Sequence, residues 1–218
     1  MATLFWSIWH NRNDKIWNDN VRRPSQVGQA AFDHWNEWFA VHKLRSPNVQ
    51  DVQILGTDWW EKPRIGWLKC NVDAAFFIGM GRTTVGACFR NSSGEFTAGL
   101  TKWQQLTLST EEGEAWALLQ AVKEARHKGF DRVQFESDSQ VLVEAIRTKR
   151  QGNSEFLSIV NEIILIMLPC ANFEVKFVRR QANSVAHTLA RAANSWSSFH
   201  RFEIIPSCIA SLIINEMH

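Results

Sequence analysis

Hydrophobic side chains follow a helical period in the first part of the chain and lose it before residue 67. Apolar residues recur at helical spacing in residues 4–18 and 25–43, so both segments are expected to be helices. Residues 45–66 keep no period and contain two prolines and two glycines, which is typical of a linker. The pattern therefore predicts a helical N-terminal extension over residues 1–44, followed by a linker.

From residue 67 onward, segments with strand-like alternation are interleaved with segments of helical spacing. Three strands come first, then a helix, a strand, two helices, a strand and a last helix. The expected strands are residues 67–76, 83–91, 94–103, 132–138 and 172–180, and the expected helices are residues 110–127, 139–149, 154–168 and 183–195. Strands joined by tight turns should pair antiparallel, whereas strands joined by helical crossovers should be parallel.

This order predicts an α/β domain over residues 67–196 with a mixed five-stranded sheet. Strands 1, 2 and 3 form an antiparallel meander, strands 4 and 5 are parallel, and helices flank the sheet. Residues 197–218 are expected to form an apolar C-terminal tail.

Polar residues at the element boundaries support these limits. Ser109 and Glu112 have the spacing of a capping box before the first helix of the domain, and Gly129 suits its end. Asn183 is placed to cap the last helix. The segment N-S-S-G at residues 91–94 predicts a tight turn between the second and third strands.

Composition narrows the classes of function. The chain has 218 residues, of which 45% are hydrophobic and 21% charged, which argues against disorder. Its net charge of +2 means that any nucleic-acid site must be a local basic patch. Neither a membrane-spanning run nor a secretory signal is recognisable, so a nuclear or cytoplasmic protein is expected. The four scattered cysteines contain no C-x-x-C pair, which makes a zinc site improbable.

Tryptophan is concentrated in the N-terminal part of the chain, where eight of the eleven tryptophans lie at or before Trp67. Two interpretations stay open for these Trp-rich helices. They form a surface that binds a protein partner, or they pack against the domain that follows.

Three carboxylates stand at the borders of predicted elements. Asp73 interrupts an apolar strand, Glu114 begins the apolar run E-A-W-A-L-L-Q-A-V, and Asp138 ends a strand. Each alone has a structural explanation, because an aspartate caps helices and a first-turn glutamate suits the helix dipole. Together they should converge at one edge of a sheet and repel one another unless a cation lies between them. Mg²⁺ prefers such oxygen ligands, and two ions would clamp the attacking and leaving oxygens of a phosphodiester.

Five ordered motifs resemble those of the ribonuclease H type 1 family. They are V-D-A-A-F, G-A-C-F-R-N-S-S-G, E-A-W-A-L-L-Q-A, E-S-D-S and R-R-Q-A-N-S-V-A-H-T-L-A. The version they resemble most is found in plants at the end of non-long-terminal-repeat retrotransposon polyproteins and in their domesticated descendants. The resemblance covers residues 67–196 and implies an endonuclease that cuts RNA in RNA–DNA hybrids with Mg²⁺, or with Mn²⁺ in its place.

By the same resemblance, Asp73, Glu114 and Asp138 are the principal metal ligands and catalytic residues. The fourth acidic position of the family falls on His187, which departs from its pattern. Imidazole is a poor Mg²⁺ ligand and suits Mn²⁺ better, although a neutral histidine can also position water or carry a proton. The family's mobile loop histidine is absent from residues 178–182. A catalytically impaired nucleic-acid-binding module, or an interaction scaffold of retroelement origin, is therefore kept as an alternative.

Nucleic-acid contacts are expected from backbone amides, polar side chains and a basic cluster near His187. The 2′-hydroxyls of RNA would be recognised across the wide minor groove of the hybrid. The residues predicted to contact nucleic acid are Ala74, Ala75, Asn91, Ser92, Ser93, Arg179, Arg180 and Asn183. A second basic cluster, residues 147–150, ends a predicted helix, where cations also suit the helix dipole.

Overall fold

A computed structural model describes residues 59–216 together with Asn11, Arg12, Pro24 and Val27. The backbone divides into two compact units, residues 1–52 and 53–218, and the strands and helices named below all belong to the second unit. The helices predicted over residues 4–18 and 25–43 lie, apart from those isolated positions, outside the described residues. Residues 59–67, at the end of the predicted linker, contain no helix or strand.

The described unit contains six strands and five α-helices. The strands are Leu68–Phe77 (β1), Arg82–Arg90 (β2), Phe96–Gln104 (β3), Val133–Ser137 (β4), Phe173–Phe177 (β5) and Phe199–Phe202 (β6). The helices are Thr110–His127 (α1), Gln140–Arg147 (α2), Glu155–Met167 (α3), Ser184–Ala192 (α4) and Ser207–Glu216 (α5). Short 3-10 turns lie at Ile78–Met80, Arg180–Asn183 and Ala193–Ser195.

No helix in the described part of the chain is long and apolar enough to span a membrane.

All six strands form one mixed sheet in the order β5-β4-β1-β2-β3-β6. β1, β2 and β3 form the predicted antiparallel meander, and β4 and β5 are parallel to β1. The prediction of five strands is wrong by one, because β6 from the predicted tail pairs antiparallel with β3. β6 has only four residues, F-H-R-F, which is too short for a local alternation to mark it as a strand.

Two separate cores lie on the two faces of the sheet. The first core packs α1, α2 and α3 against β1, β2 and β4, and Val72 and Phe135 are among its fully buried side chains. The second core lies under α4 and α5, where Leu189 of α4 meets Ile209 and Ile213 of α5. The predicted tail is therefore a strand and a helix that cover the second face.

The sequence predicts the ends of α1 correctly, but not the cap at the start of α4. The Ser109 hydroxyl accepts a hydrogen bond from the Glu112 backbone N–H, and the Glu112 carboxylate accepts one from the Ser109 backbone N–H. The predicted capping box is therefore confirmed. Gly129 follows α1 with φ of +68°, a conformation that favours glycine. The predicted Asn183 cap is wrong, because its side chain makes no capping hydrogen bond and is used elsewhere.

Gly86 in β2 lets α4 lie directly on the sheet. A Cβ atom at this position would come within 2.5 Å of the Ala190 backbone nitrogen and 2.9 Å of the Leu189 carbonyl carbon. Backbone atoms of a helix cannot give way as a flexible side chain does. Because Gly86 pairs with Asp73 across β1 and β2, the same close approach brings α4 next to that carboxylate.

We expect Gly86→Ala to lower the free energy of unfolding by about 1–3 kcal/mol, because the added methyl group pushes α4 away from the sheet. Gly79→Ala is the matched control, since a Cβ at Gly79 meets nothing within 4 Å. Chemical denaturation of both variants measures the difference. Equal unfolding midpoints for the two would contradict this account of α4 packing.

Candidate metal centre

The three predicted carboxylates come together at one edge of the parallel part of the sheet. β1 and β4 are parallel, with Asn71 opposite Glu136, so Asp73 and Asp138, each two residues further on, lie level with each other. Glu114 reaches them from the second turn of α1. One ligand oxygen from each of the three lies within 4.8 Å of the others, as a divalent ion requires of its ligands.

The structural explanations for Asp138 and Glu114 do not apply. α2 is capped by Ser139, whose hydroxyl accepts a hydrogen bond of 3.3 Å from the Leu142 backbone, and not by Asp138. The first turn of α1 already carries Glu111 and Glu112 as its acidic residues. Both carboxylates are therefore available for another role.

Burial makes this group of carboxylates unfavourable without a cation. Burial, followed by repulsion from the Asp138 charge, raises the pKa of Asp73 from 3.8 to about 6. Burial also raises the pKa of Glu114 from 4.5 to about 9, followed by repulsion from Asp73 and Asp138. Glu114 Oε2 is buried and has no hydrogen-bond partner. An all-oxygen donor set with one unpaired buried oxygen fits a hard divalent ion such as Mg²⁺.

His187 lies beside Asp73, from the first half of α4. Its Nδ1 is 2.7 Å from Asp73 Oδ2, and its side chain is about a third exposed. With the proton on Nδ1, the ring donates this hydrogen bond and fixes one oxygen of Asp73. The sequence-predicted His187 is thus brought to the site, where it contacts a candidate ligand carboxylate directly.

Arg180 adds positive charge at the rim of the site. Its Nη1 lies 3.5 Å from Asp138 Oδ2, and its Nη2 lies 3.2 Å from His187 Nδ1. The side chain is 63% exposed, so the guanidinium faces solvent as well as the carboxylates. Arg179, which precedes Arg180 in the chain, is exposed as well. This is the arrangement expected of groups that meet a phosphate near the metal ligands.

The other predicted nucleic-acid contacts are placed differently. Ala74 and Ala75 follow Asp73 in β1 and are buried at 6% and 8% exposure, which leaves little surface for a ligand. Asn183 is 1% exposed, and its Nδ2 donates to Val72 O at 2.9 Å and to Asp138 Oδ1 at 3.2 Å. Asn183 therefore serves a candidate metal ligand from inside the protein.

The turn that contains Asn91, Ser92 and Ser93 is not brought to the three carboxylates. It follows Arg90, which pairs with Lys69 near the start of β1, whereas Asp73 pairs with Gly86 further along. Asn91 Oδ1 accepts hydrogen bonds from the backbone of Ser93 at 2.9 Å and of Glu95 at 3.0 Å, which stabilises the turn. Any contact of this turn with nucleic acid would use a surface separate from the carboxylates.

Four buried polar residues beside the site were missed by sequence reasoning. They occupy the face of the sheet that carries Asp73 and are Lys69, Asn71, Arg90 and Glu136. Lys69 Nζ is 2.7 Å from Glu136 Oε1, and Asn71 Nδ2 donates to Glu136 Oε2 at 3.0 Å. The available signal was the alternation of Lys69, Asn71 and Asp73 with apolar residues in a central strand.

We expect Glu114→Gln to stabilise the metal-free protein at pH 8. Between the ordinary pKa of 4.5 and the raised pKa of about 9, the unfolded chain ionises Glu114 while the folded protein keeps it protonated. Folding stability is therefore lost as pH rises through this window, and glutamine removes the loss. The gain should be on the order of 2 kcal/mol at pH 8 and should vanish near pH 4, as measured by denaturation in EDTA.

Two comparisons belong to this test. Exposed Glu111→Gln on the same helix should change stability little at either pH. Mg²⁺ should raise the melting temperature of the wild-type protein but not of Glu114→Gln, because a ligand that binds only the folded state stabilises it. A Glu114→Gln protein that is less stable than wild type at pH 8 would contradict the electrostatic account.

Comparisons with known proteins agree with this geometry. The family model described as reverse transcriptase-like matches residues 71–193. An Arabidopsis thaliana protein described as a "putative ribonuclease H protein" is 26% identical over 97% of this chain. The chain spans about a third of that relative, since the match covers 34% of its length.

Solved structures with a similar fold are ribonucleases H. RNase H1 from the halophilic archaeon Halobacterium salinarum has a TM-score of 0.54 at 20% identity, covering 59% of this chain and 97% of its own. LC11-RNase H1 from compost, solved in complex with an RNA/DNA hybrid, has a TM-score of 0.51 at 15% identity, covering 57% and 94%. At these identities the likeness concerns the fold. Because the family model matches more than half of the chain, the chain belongs to the reverse transcriptase-like family and has a ribonuclease-H-like domain.

Proposed function

We propose that this chain is a divalent-metal-dependent endonuclease of the ribonuclease H type, which hydrolyses RNA in RNA–DNA hybrids. The observation that carries the proposal is the group of three carboxylates within 4.8 Å, in which burial and mutual repulsion raise the pKa values of Asp73 and Glu114. The name of the Arabidopsis relative and the hybrid bound to LC11-RNase H1 support the choice of substrate.

Asp73, Glu114 and Asp138 would hold Mg²⁺, or Mn²⁺ in its place. Two such ions, if bound, would activate a water and stabilise the departing 3′-oxygen. The carboxylates lie on β1, on α1 and directly after β4, so regular secondary structure would hold their backbones in place for the ions. Arg180, beside Asp138, would attract the scissile phosphate and orient it toward the ligands. Arg179 would add a phosphate contact on the same segment.

We expect Asp138→Asn to lower the rate of hybrid cleavage by at least about 100-fold. Loss of one ligand charge removes several kcal/mol of stabilisation from the transition state, and each 1.36 kcal/mol is a factor of ten. The measurement is cleavage of a labelled RNA–DNA hybrid in Mg²⁺ and in Mn²⁺. Glu111→Gln, an exposed carboxylate on α1, is the control and should cleave like the wild type.

Cleavage that survives Asp138→Asn would remove this site from the reaction.

A second candidate function is a nucleic-acid-binding module with impaired turnover. The hydrogen bond between His187 and Asp73 favours it, because one oxygen of a principal ligand is already engaged. Tight binding of the hybrid by the wild type without cleavage in either metal would support the second candidate.

We expect the wild type to cleave the hybrid faster with Mn²⁺ than with Mg²⁺, because Mn²⁺ accepts an imidazole ligand or neighbour more readily than Mg²⁺ does. His187→Asp restores an oxygen donor and should raise the Mg²⁺-supported cleavage rate relative to the Mn²⁺-supported rate. His187→Ala is the matched variant that removes the ring without adding a carboxylate. The ratio of the two rates is the readout, and a ratio unchanged in His187→Asp would exclude His187 from the metal environment.

A further inference from the structure

A row of buried polar side chains runs along the sheet from the C-terminal helix α5 to Asp138. Lys69, Asn71 and Asp73 alternate on β1, and Arg90 of β2 pairs with Lys69. Arg90 and Asn71 are both 0% exposed. Buried polar groups of this kind are stabilised only when each donor meets an acceptor, so their partners show how the row is held together.

Arg90 fixes the orientation of the Asn71 amide. Its Nη1 donates to Glu216 Oε2 of α5 at 2.5 Å, and its Nη2 donates to Asn71 Oδ1 at 2.6 Å. An arginine side chain has donors only, so the oxygen of Asn71 must face it. The Asn71 nitrogen is therefore turned the other way, toward Glu136 Oε2 at 3.0 Å and Asn183 Oδ1 at 3.2 Å.

Asn71 in turn fixes the Asn183 amide. With its oxygen on Asn71, Asn183 presents its nitrogen to Val72 O at 2.9 Å and to Asp138 Oδ1 at 3.2 Å. The reversed amide would set an oxygen against a backbone carbonyl and a carboxylate, which are both acceptors. The donor beside Asp138 is thus the last member of a chain of hydrogen bonds that runs from Glu216 through Arg90, Asn71 and Asn183.

We propose that Glu216 and Arg90 are positioning residues for Asp138, acting through the amides of Asn71 and Asn183. Partners behind a metal ligand orient it, and their loss weakens metal affinity. α5 follows residue 193, where the match to the family model ends, so the working unit of the site extends beyond that match. The inference rests on Asp138 being a metal ligand, as in the proposed function.

A purely structural role for α5 is the competing explanation, because α5 also fills the second core. Ile213 lies one turn before Glu216, is 2% exposed and belongs to that core. Ile213→Ala therefore destabilises the same helix without entering the hydrogen-bond chain. Glu216→Ala removes the acceptor of Arg90, whereas Glu216→Gln keeps a side-chain oxygen there.

The experiment is a Mn²⁺ titration of the full chain followed by electron paramagnetic resonance, with melting temperatures measured in parallel. Glu216→Ala should weaken the Mn²⁺ affinity by about 10-fold, the lower end for partners behind a ligand. Glu216→Gln should recover most of the affinity. Ile213→Ala should change the affinity less than about twofold, even where its melting temperature falls as far as that of Glu216→Ala.

A second readout follows the amides themselves without metal. In protein labelled with ¹⁵N-asparagine, the side-chain resonances of Asn71 and Asn183 should shift in Glu216→Ala and stay in place in Ile213→Ala. Resonances that do not move in Glu216→Ala, or an equal loss of affinity in both variants, would overturn the positioning role alone. A wild-type chain whose site binds no Mn²⁺ would instead overturn the ligand role of Asp138 and with it the proposed function.

Discussion

Mutual repulsion among three carboxylates, two of them buried, is the constraint on which the rest of the structure depends. Asp73, Glu114 and Asp138 share a region of 4.8 Å, and burial already raises the pKa values of Asp73 and Glu114. Such a group persists only where the backbone holds it firmly. Three features provide that support. They are the parallel register of β1 and β4, the capping box of α1 and the close packing of α4 against Gly86.

Local patterns were sufficient to predict much of the fold and the three carboxylates. β1, the α1 capping box and the turn at residues 91–94 are each encoded by neighbouring residues, and the carboxylates stand at element borders. β6 was missed because four residues carry too little alternation, and its partner β3 is distant in the chain. The roles of Arg90 and Asn183 were also missed, because their partners are distant in the chain. Arg90, for example, pairs with Glu216 across 126 residues.

The C-terminal segment has a structural role on the second face of the sheet. The sequence predicts an apolar tail over residues 197–218. In the structure, Ile209 and Ile213 of this segment complete a core with α4, and Glu216 joins the row of buried polar side chains. His187 lies on α4, which packs between the sheet and α5, and Asn183 lies in the 3-10 turn directly before that helix. At His187, where the sequence departs from the family pattern, the ring contacts Asp73 while the scaffold around the site is retained.

The central claim is that these carboxylates bind a divalent cation. A crystal structure of the full chain soaked in Mn²⁺, with anomalous differences recorded at the manganese edge, tests it most directly. The account predicts an anomalous peak in direct contact with oxygens of Asp73, Glu114 and Asp138, and the same map shows whether His187 enters the coordination shell. A map without a peak among the three carboxylates, at Mn²⁺ concentrations that occupy other surface sites, would contradict the claim.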